Sequence, residues 1–343
     1  MKKFLRTIKQ KAQSEKPACS KDGQTGLPKL FIHIPKTAGT SFRNAAESRF
    51  GMERVLRDYG PNSDATSNSI KNEVYTDGDA TRITRIIAEE NPAMLSGHFP
   101  LHKYGGILGL TNTATIFRNP QDQVISHFRH AVRDHGYKGD LLTFARRDAV
   151  RNLQSRMIGN NDPALLGVVG LTESYKAMLE IVNFRWGWNL RHQKKNVSRK
   201  FGARKFEVSD QERSEIAQLN QADLSIYKRA QIVFENSAWC FERGFEIDPR
   251  GCITLANTQF GIRGWAFDMC SDDLMQIEIM LNEKPFRRFK CTHFVPLVGC
   301  WKLPRNGYVG FAIDSQAVSE GDLVEIRDAQ HGLLLADTIV EAA

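Results

Sequence analysis

The stretch Phe31–Phe42, FIHIPKTAGTSF, sets Lys36, Gly39 and the hydroxyls of Thr40 and Ser41 in a turn between an apolar run and a helix-like pattern. A strand, a tight turn and a helix N-terminus aim backbone N–H groups at one point, an arrangement that favours an anion such as phosphate. Gly39 would let the backbone approach the anion, Thr40 and Ser41 would open the helix and offer hydroxyls, and Lys36 would supply a mobile cation. The turn is not a G-x-x-x-x-G-K-[ST] nucleotide loop, because Lys36 precedes its only glycine. Taken alone, the stretch fits equally well an ordinary strand-to-helix turn with a solvated lysine and an N-capping serine. A second stretch, TIFRNPQDQVISHF, adds Arg118 at the end of an apolar run and Ser126 two helical turns later. That pair could grip a second phosphate, the arginine by charge and the serine by hydroxyl.

These residues need elements to hold them. KLFIHI reads as a buried strand, SFRNAAESRF as a helix, TRITRIIAEEN as a helix ended by Asn91-Pro92, and AMLSGHF and TATIF as two further strands. QDQVISHFRHAVRDH continues as a helix, while residues 60–80 read as a loop. Strands alternating with helices predict a mainly parallel sheet with ligands at the carboxyl ends of its strands. From about Leu141 to Glu242 the pattern is mostly helical. Beyond ERGFEIDPRG it changes to short runs such as GIRGWAFD, LMQIEIMLN, GYVGFAID and DLVEIRD, the texture of a small antiparallel β-domain. The expected division is a basic arm over 1–29, an α/β domain over 30–247 and a separable β-domain over 248–343.

The net charge of +8 is unevenly spread: residues 1–29 carry +6, the stretch from Asp248 onward −4, and the middle +6. A basic arm is ordinarily solvated, here with the option of peripheral contact with a membrane, and the positive middle suits an anionic ligand. No nucleic-acid-binding motif is present. The N-terminus lacks the apolar core of a signal peptide and no run reaches membrane-spanning length, so the expected location is cytoplasmic. The six cysteines, Cys19, Cys240, Cys252, Cys270, Cys291 and Cys300, show no C-x-x-C spacing, which predicts buried free thiols and no metal site.

FIHIPKTAGTSF resembles the 5′-phosphosulfate loop, and FRNPQDQVISHF the 3′-phosphate motif, of sulfotransferases that use 3′-phosphoadenosine 5′-phosphosulfate (PAPS) as donor. The similarity is strongest to the branch that sulfates carbohydrates such as heparan and chondroitin chains. It continues in order through SGHFP, RNLQSRMIG, VGLTESY, HQKKNVS and LNQADLSIYKRA. Ala38 stands where the family often has a second glycine, and Asn119 where it often has aspartate. The resemblance implies a P-loop-like sheet flanked by helices. It implies that Lys36, Thr37, Ala38, Gly39, Thr40 and Ser41 hold the phosphosulfate, and that Arg118 and Ser126 hold the 3′-phosphate. Lys36 would also neutralise the bridging oxygen as sulfuryl departs, without a metal. His98 occupies the position of the family's catalytic histidine, with His102 in reserve. On phase and position, His33 reads as structural, and His127 and His130 as solvated or packed. Asn152, Gln154 and Arg156 fit either an acceptor contact or a plain helical surface.

The C-terminal stretch resembles small Ig-like β-sandwich modules appended to bacterial glycan-modifying enzymes, where Trp265 or Trp301 would stack on sugars or fill a core. The expected function is therefore transfer of a sulfuryl group from PAPS to a hydroxyl, with a carbohydrate or glycoconjugate as acceptor. The rival readings are a nucleotide-dependent kinase and a non-catalytic glycan-binding protein.

Overall fold

The computed structural model describes residues 27–192, 207–296 and 303–343. Five parallel strands form the first sheet: β1 (Lys29–Ile32), β2 (Val55–Asp58), β3 (Met94–Gly97), β4 (Thr113–Phe117) and β5 (Val168–Leu171), in the order β2-β3-β1-β4-β5. Each runs only four or five residues and is buried along nearly its whole length, as expected where helices cover both faces. The longer helices are α1 (Gly39–Phe50), α2 (Ile83–Glu90), α3 (Pro120–His135), α4 (Tyr175–Trp186), α5 (Asp210–Leu219) and α6 (Gln221–Arg243). Their ends follow local chemistry. Asn91 ends α2 in a left-handed conformation, Asn119 caps α3 ahead of Pro120, and Ser209 and Glu212 form a reciprocal capping box on α5. The predicted elements of this half are present, and two strands are added to them. β2 and β5 lie in stretches whose few apolar residues did not stand out, and part of the 60–80 loop is a helical turn at Ile70–Tyr75.

The C-terminal region holds β6 (Pro249–Asn257), β7 (Gly261–Asp268), β8 (Gln276–Leu281), β9 (Lys284–Lys290), β10 (His293–Phe294), β11 (Tyr308–Ile313), β12 (Leu323–Asp328) and β13 (Leu334–Ile339). They form two four-stranded antiparallel sheets, β10-β11-β7-β6 and β13-β12-β8-β9, packed around a shared apolar core. Strand β7 (Gly261–Asp268) explains how this unit meets the rest of the chain. Its Ile262 and Ala266 face the core between the two sheets, while Trp265 and Phe267, on the opposite face, join the apolar core of the α/β half. Trp265 is 2% exposed and stacks on Phe267, so it is a core residue and is not placed to meet sugars. Trp301 lies outside the described residues, as do most of the basic arm, most of HQKKNVS, Cys19 and Cys300. Cys240, Cys252 and Cys291 are free thiols as expected, but Cys270 is disulfide-bonded, which corrects the expectation of free cysteines throughout. Among the described residues no helix is long and apolar enough to cross a membrane.

The seam at Asp248 is polar and buried. Asp248 is fully buried between Arg185 of α4 and Arg250 of β6 (Pro249–Asn257), and it also accepts from Ser237 of α6 at 2.9 Å. Burial pushes the Asp248 carboxyl toward the neutral form, yet the two guanidiniums outweigh it and hold its pKa below the ordinary value. Farther along α6, Arg229 bonds to Asp162 and donates to the carbonyls of Leu335 and Gly251, both at 2.7 Å. Apolar core and buried ions thus cross the seam together, which bears on whether residues 248–343 separate from the rest. A chain ending at Pro249 should fail to unfold cooperatively. Asp248→Asn, which leaves two buried guanidiniums uncompensated, should cost about 3–5 kcal/mol in urea denaturation of the full chain. A truncated chain with a sharp unfolding transition would show that the seam is dispensable.

Candidate functional site

The phosphate-loop candidate leaves the sheet at the carboxyl end of β1 and enters α1 after six residues, His33 to Ala38. Both Lys36 (φ 68°) and Ala38 (φ 70°) adopt the left-handed conformation, which costs a side-chain-bearing residue roughly 1–2 kcal/mol. Among the described residues, the backbone N–H groups of Lys36, Thr37, Ala38, Gly39 and Thr40 make no hydrogen bond of ordinary length and angle, whereas those of Ser41 and Phe42 donate to the Ala38 carbonyl. A run of unpaired N–H groups at a helix start is an anion-binding feature. Thr37 contributes differently from the expectation. Its side chain is fully buried and donates to the Ile34 carbonyl at 2.9 Å, so its hydroxyl stiffens the loop. Thr40 is exposed and Ser41 half-buried.

Arg118 follows β4 directly and turns back toward this loop, donating to the Lys36 carbonyl at 3.1 Å. The two motifs, 82 residues apart, therefore meet at one edge of the sheet. Ser126 is half-buried on α3, the helix whose Gln123 donates to the Pro35 carbonyl at 3.0 Å. Gln123 is fully buried and its Oε1 has no partner among the described residues. Burial and the nearby cations Arg133 and Arg118 lower the Lys36 pKa, with Asp134 opposing them, so the loop sits in positive surroundings.

His98 lies just past β3, on the strand next to β1, where the register pairs Ile32 with Gly97. Its backbone N–H donates to the Asp58 carbonyl at 2.9 Å, and a Cβ at Gly97 would lie 1.8 Å from that same carbonyl oxygen. Glycine is thus required for β2 and β3 to close at this point. The His98 Nδ1 is 2.6 Å from the His33 carbonyl, which can only accept, so Nδ1 carries the proton and Nε2 keeps its lone pair. Crowding by protein atoms lowers the His98 pKa, the bond to His33 opposes this, and Arg43 adds to the lowering. The residue as a whole keeps an exposed face. His98 is accordingly a neutral imidazole with a free acceptor nitrogen. His102 lies exposed in the next helical turn.

Residues that the sequence did not single out complete the surroundings. The His33 ring packs against His98 (centroids 4.5 Å apart) and bonds through Nδ1 to the Tyr59 hydroxyl at 2.9 Å, which also accepts from Arg43. Asp58, buried at the end of β2, accepts from Tyr75, Lys103 and Tyr104 at 2.6, 2.7 and 2.8 Å. Burial alone would raise the Asp58 pKa, but these three donors keep it ionised. His127, next to Ser126, is pushed down to about 4 by burial and by His130, Lys36, Arg147 and His98. Gln154 is fully buried, so neither of the alternatives considered for it, acceptor contact or helical surface, describes it. Asn152 bonds inward to Asn220 and Asp223, and Arg156 is exposed. An end-of-strand acidic residue after Val55-Leu56 was the one signal available for Asp58; Tyr59 and Gln123 had none. In comparisons with known proteins, no family model and no curated protein matches this chain.

Gly39 offers a test of this packing. A Cβ there would lie 2.1 Å from Cδ2 of His33, so the ring occupies the space that any side chain would need. Gly39→Ala should cost about 1–3 kcal/mol in the parent and be neutral or stabilising in a His33→Ala background, where helix propensity favours alanine. Equal costs in both backgrounds, read from urea unfolding of the four proteins, would show that the contact is unimportant.

Proposed function

We propose that this chain transfers a sulfuryl group from PAPS to a hydroxyl, with a carbohydrate as the acceptor class. The observation that carries the reading is the bond from Arg118 to the Lys36 carbonyl, which joins two anion-gripping motifs at the sheet edge that also bears His98. The unpaired N–H groups of residues 36–40 suit the 5′-phosphosulfate, with Lys36 and the Thr40 and Ser41 hydroxyls around it. Arg118 and Ser126 suit the 3′-phosphate. The P-loop-like character of the first half and the Ig-like character of the second belong to this same reading.

In the reaction, the acceptor oxygen attacks sulfur while His98 Nε2 takes its proton. The new bond joins sulfur to the acceptor oxygen, and the bond from sulfur to the bridging phosphate oxygen breaks. Lys36 neutralises the charge that develops on that oxygen, and 3′,5′-ADP leaves.

The test is transfer of labelled sulfate from PAPS to polysaccharides, lipid-linked sugars and simple alcohols, beside calorimetry with 3′,5′-ADP and ATP. His98→Ala should lower kcat by about 10²- to 10⁴-fold while leaving 3′,5′-ADP affinity nearly intact, and Lys36→Ala should abolish most turnover. Preference for ATP over 3′,5′-ADP would overturn the reading, and full turnover by His98→Ala would overturn the assignment of His98 as the base. The pH dependence has a definite sign. With its pKa lowered, His98 takes up its proton at a lower pH than an ordinary histidine, so the acid-side loss of activity should lie below the ordinary histidine range. Stability should fall over the same range. His33, His98 and His127 are held neutral in the fold while the unfolded chain takes up protons from about pH 6.5 downward, so acid favours unfolding.

A further inference from the structure

We infer that Gln154, held by Asp223, is a positioning residue that aims Arg118 at the ribose 3′-phosphate, an inference that rests on the donor assignment above. β4 ends at Phe117, the last residue paired with β5, so Arg118 leaves the sheet with no neighbouring strand to bond its backbone. A side chain takes the strand's place. Gln154 Oε1 accepts the Arg118 N–H at 3.0 Å and Gln154 Nε2 donates to the Arg118 carbonyl at 2.9 Å. A primary amide is the side-chain group that can give and take in this fashion, which explains glutamine at a fully buried position.

The bracket is itself anchored. Gln154 and Ser155 lie in the first turn of a short helix, Leu153–Met157, and their backbone N–H groups donate to the two carboxylate oxygens of Asp223 at 3.0 and 2.7 Å. Asp223 is 1% exposed and lies in the first turn of α6. Its own N–H donates to Asn152 Oδ1 at 3.3 Å, and Asn152 N–H donates to Asn220 Oδ1 at 2.8 Å. A buried carboxylate is a costly helix cap where an exposed serine would serve. Here it fixes the peptide from which the Gln154 amide reaches Arg118. With both backbone groups of Arg118 pinned, its guanidinium has a defined origin from which to reach the Lys36 carbonyl and the ligand beyond it.

The experiment compares binding of 3′,5′-ADP and 5′-AMP, which differ by the 3′-phosphate, to the full chain and to Gln154→Leu, Gln154→Glu and Asp223→Asn by calorimetry. The parent should prefer 3′,5′-ADP. Gln154→Leu should lose roughly tenfold or more of that preference while its affinity for 5′-AMP stays within about twofold, because only the 3′-phosphate grip depends on Arg118. Gln154→Glu keeps the acceptor and loses the donor, and should fall between the two. If Gln154→Leu does not fold, Gln154→Glu and Asp223→Asn carry the comparison. A folded variant that retains the parent's ratio, or that loses affinity for both nucleotides equally, overturns the positioning role and leaves the donor assignment standing. A parent that does not distinguish the two nucleotides overturns the donor assignment and this inference with it.

Discussion

The arrangement at the sheet edge depends on His33 more than on any residue that would touch a ligand. Its ring fills the space left by the absent side chain of Gly39, its carbonyl takes the proton-bearing nitrogen of His98, and its own Nδ1 meets Tyr59. Its backbone N–H extends the β1–β3 ladder by one bond, to Gly97. One side chain and its peptide thus fix the start of α1, the tautomer of the adjacent histidine and the spacing between two strands. Burial and the cations around it hold its pKa well below the usual histidine value, so it does this as an uncharged group. A protonated His33 beside His98, Arg43 and Lys36 would add repulsion at each of these contacts.

The long helix α6 carries that order into the rest of the molecule. Along one helix, Asp223 caps the segment bearing Gln154, Arg229 bonds to two carbonyls of the β-sandwich, Asn236 donates to a third, and Ser237 meets Asp248. Buried charges seldom add net stability compared with apolar packing, because desolvation offsets most of their attraction. What they impose is geometry, since an Arg229 or Asp248 out of register leaves a buried charge unpaired. The sandwich and the parallel sheet are accordingly held in one relative placement by α6, β7 and the polar seam between them.

The fold class was legible because strand and helix periodicities alternate clearly from Lys29 to His135 and change character near Asp248. Lys36, Arg118 and His98 were legible because each sits just past an apolar run, where a parallel sheet delivers its loops. What escaped was everything defined by a partner distant in sequence. Gln154 reads as one more polar residue in RNLQSRM until the carbonyl of Arg118, 36 positions away, is seen against it. Thr37 was expected at the phosphosulfate on the resemblance alone, and even a partner three residues away, the Ile34 carbonyl to which its hydroxyl donates, does not show in the sequence. β2 offers only Val55 and Leu56 ahead of the charged Arg57 and Asp58, and β5 lies inside a stretch whose pattern reads as mostly helical. Trp265 gave no sign of its environment, since a strand buried on both faces has no polar side to contrast with it.

The left-handed residues Lys36 and Ala38 show how the loop balances strain against its task. Glycine would relieve the strain at either position but would leave the unfolded loop more freedom to lose. With side chains there, the loop is held by what surrounds it: Arg118 on the Lys36 carbonyl, Gln123 on the Pro35 carbonyl and Thr37 on Ile34. Each of these bonds uses a carbonyl or a hydroxyl, and none uses an N–H of residues 36–40. These three contacts therefore leave the loop's N–H donors available, so its rigidity does not compete with the anion binding proposed for it. A loop tied down through its N–H groups would be equally stiff and would have nothing left with which to bind.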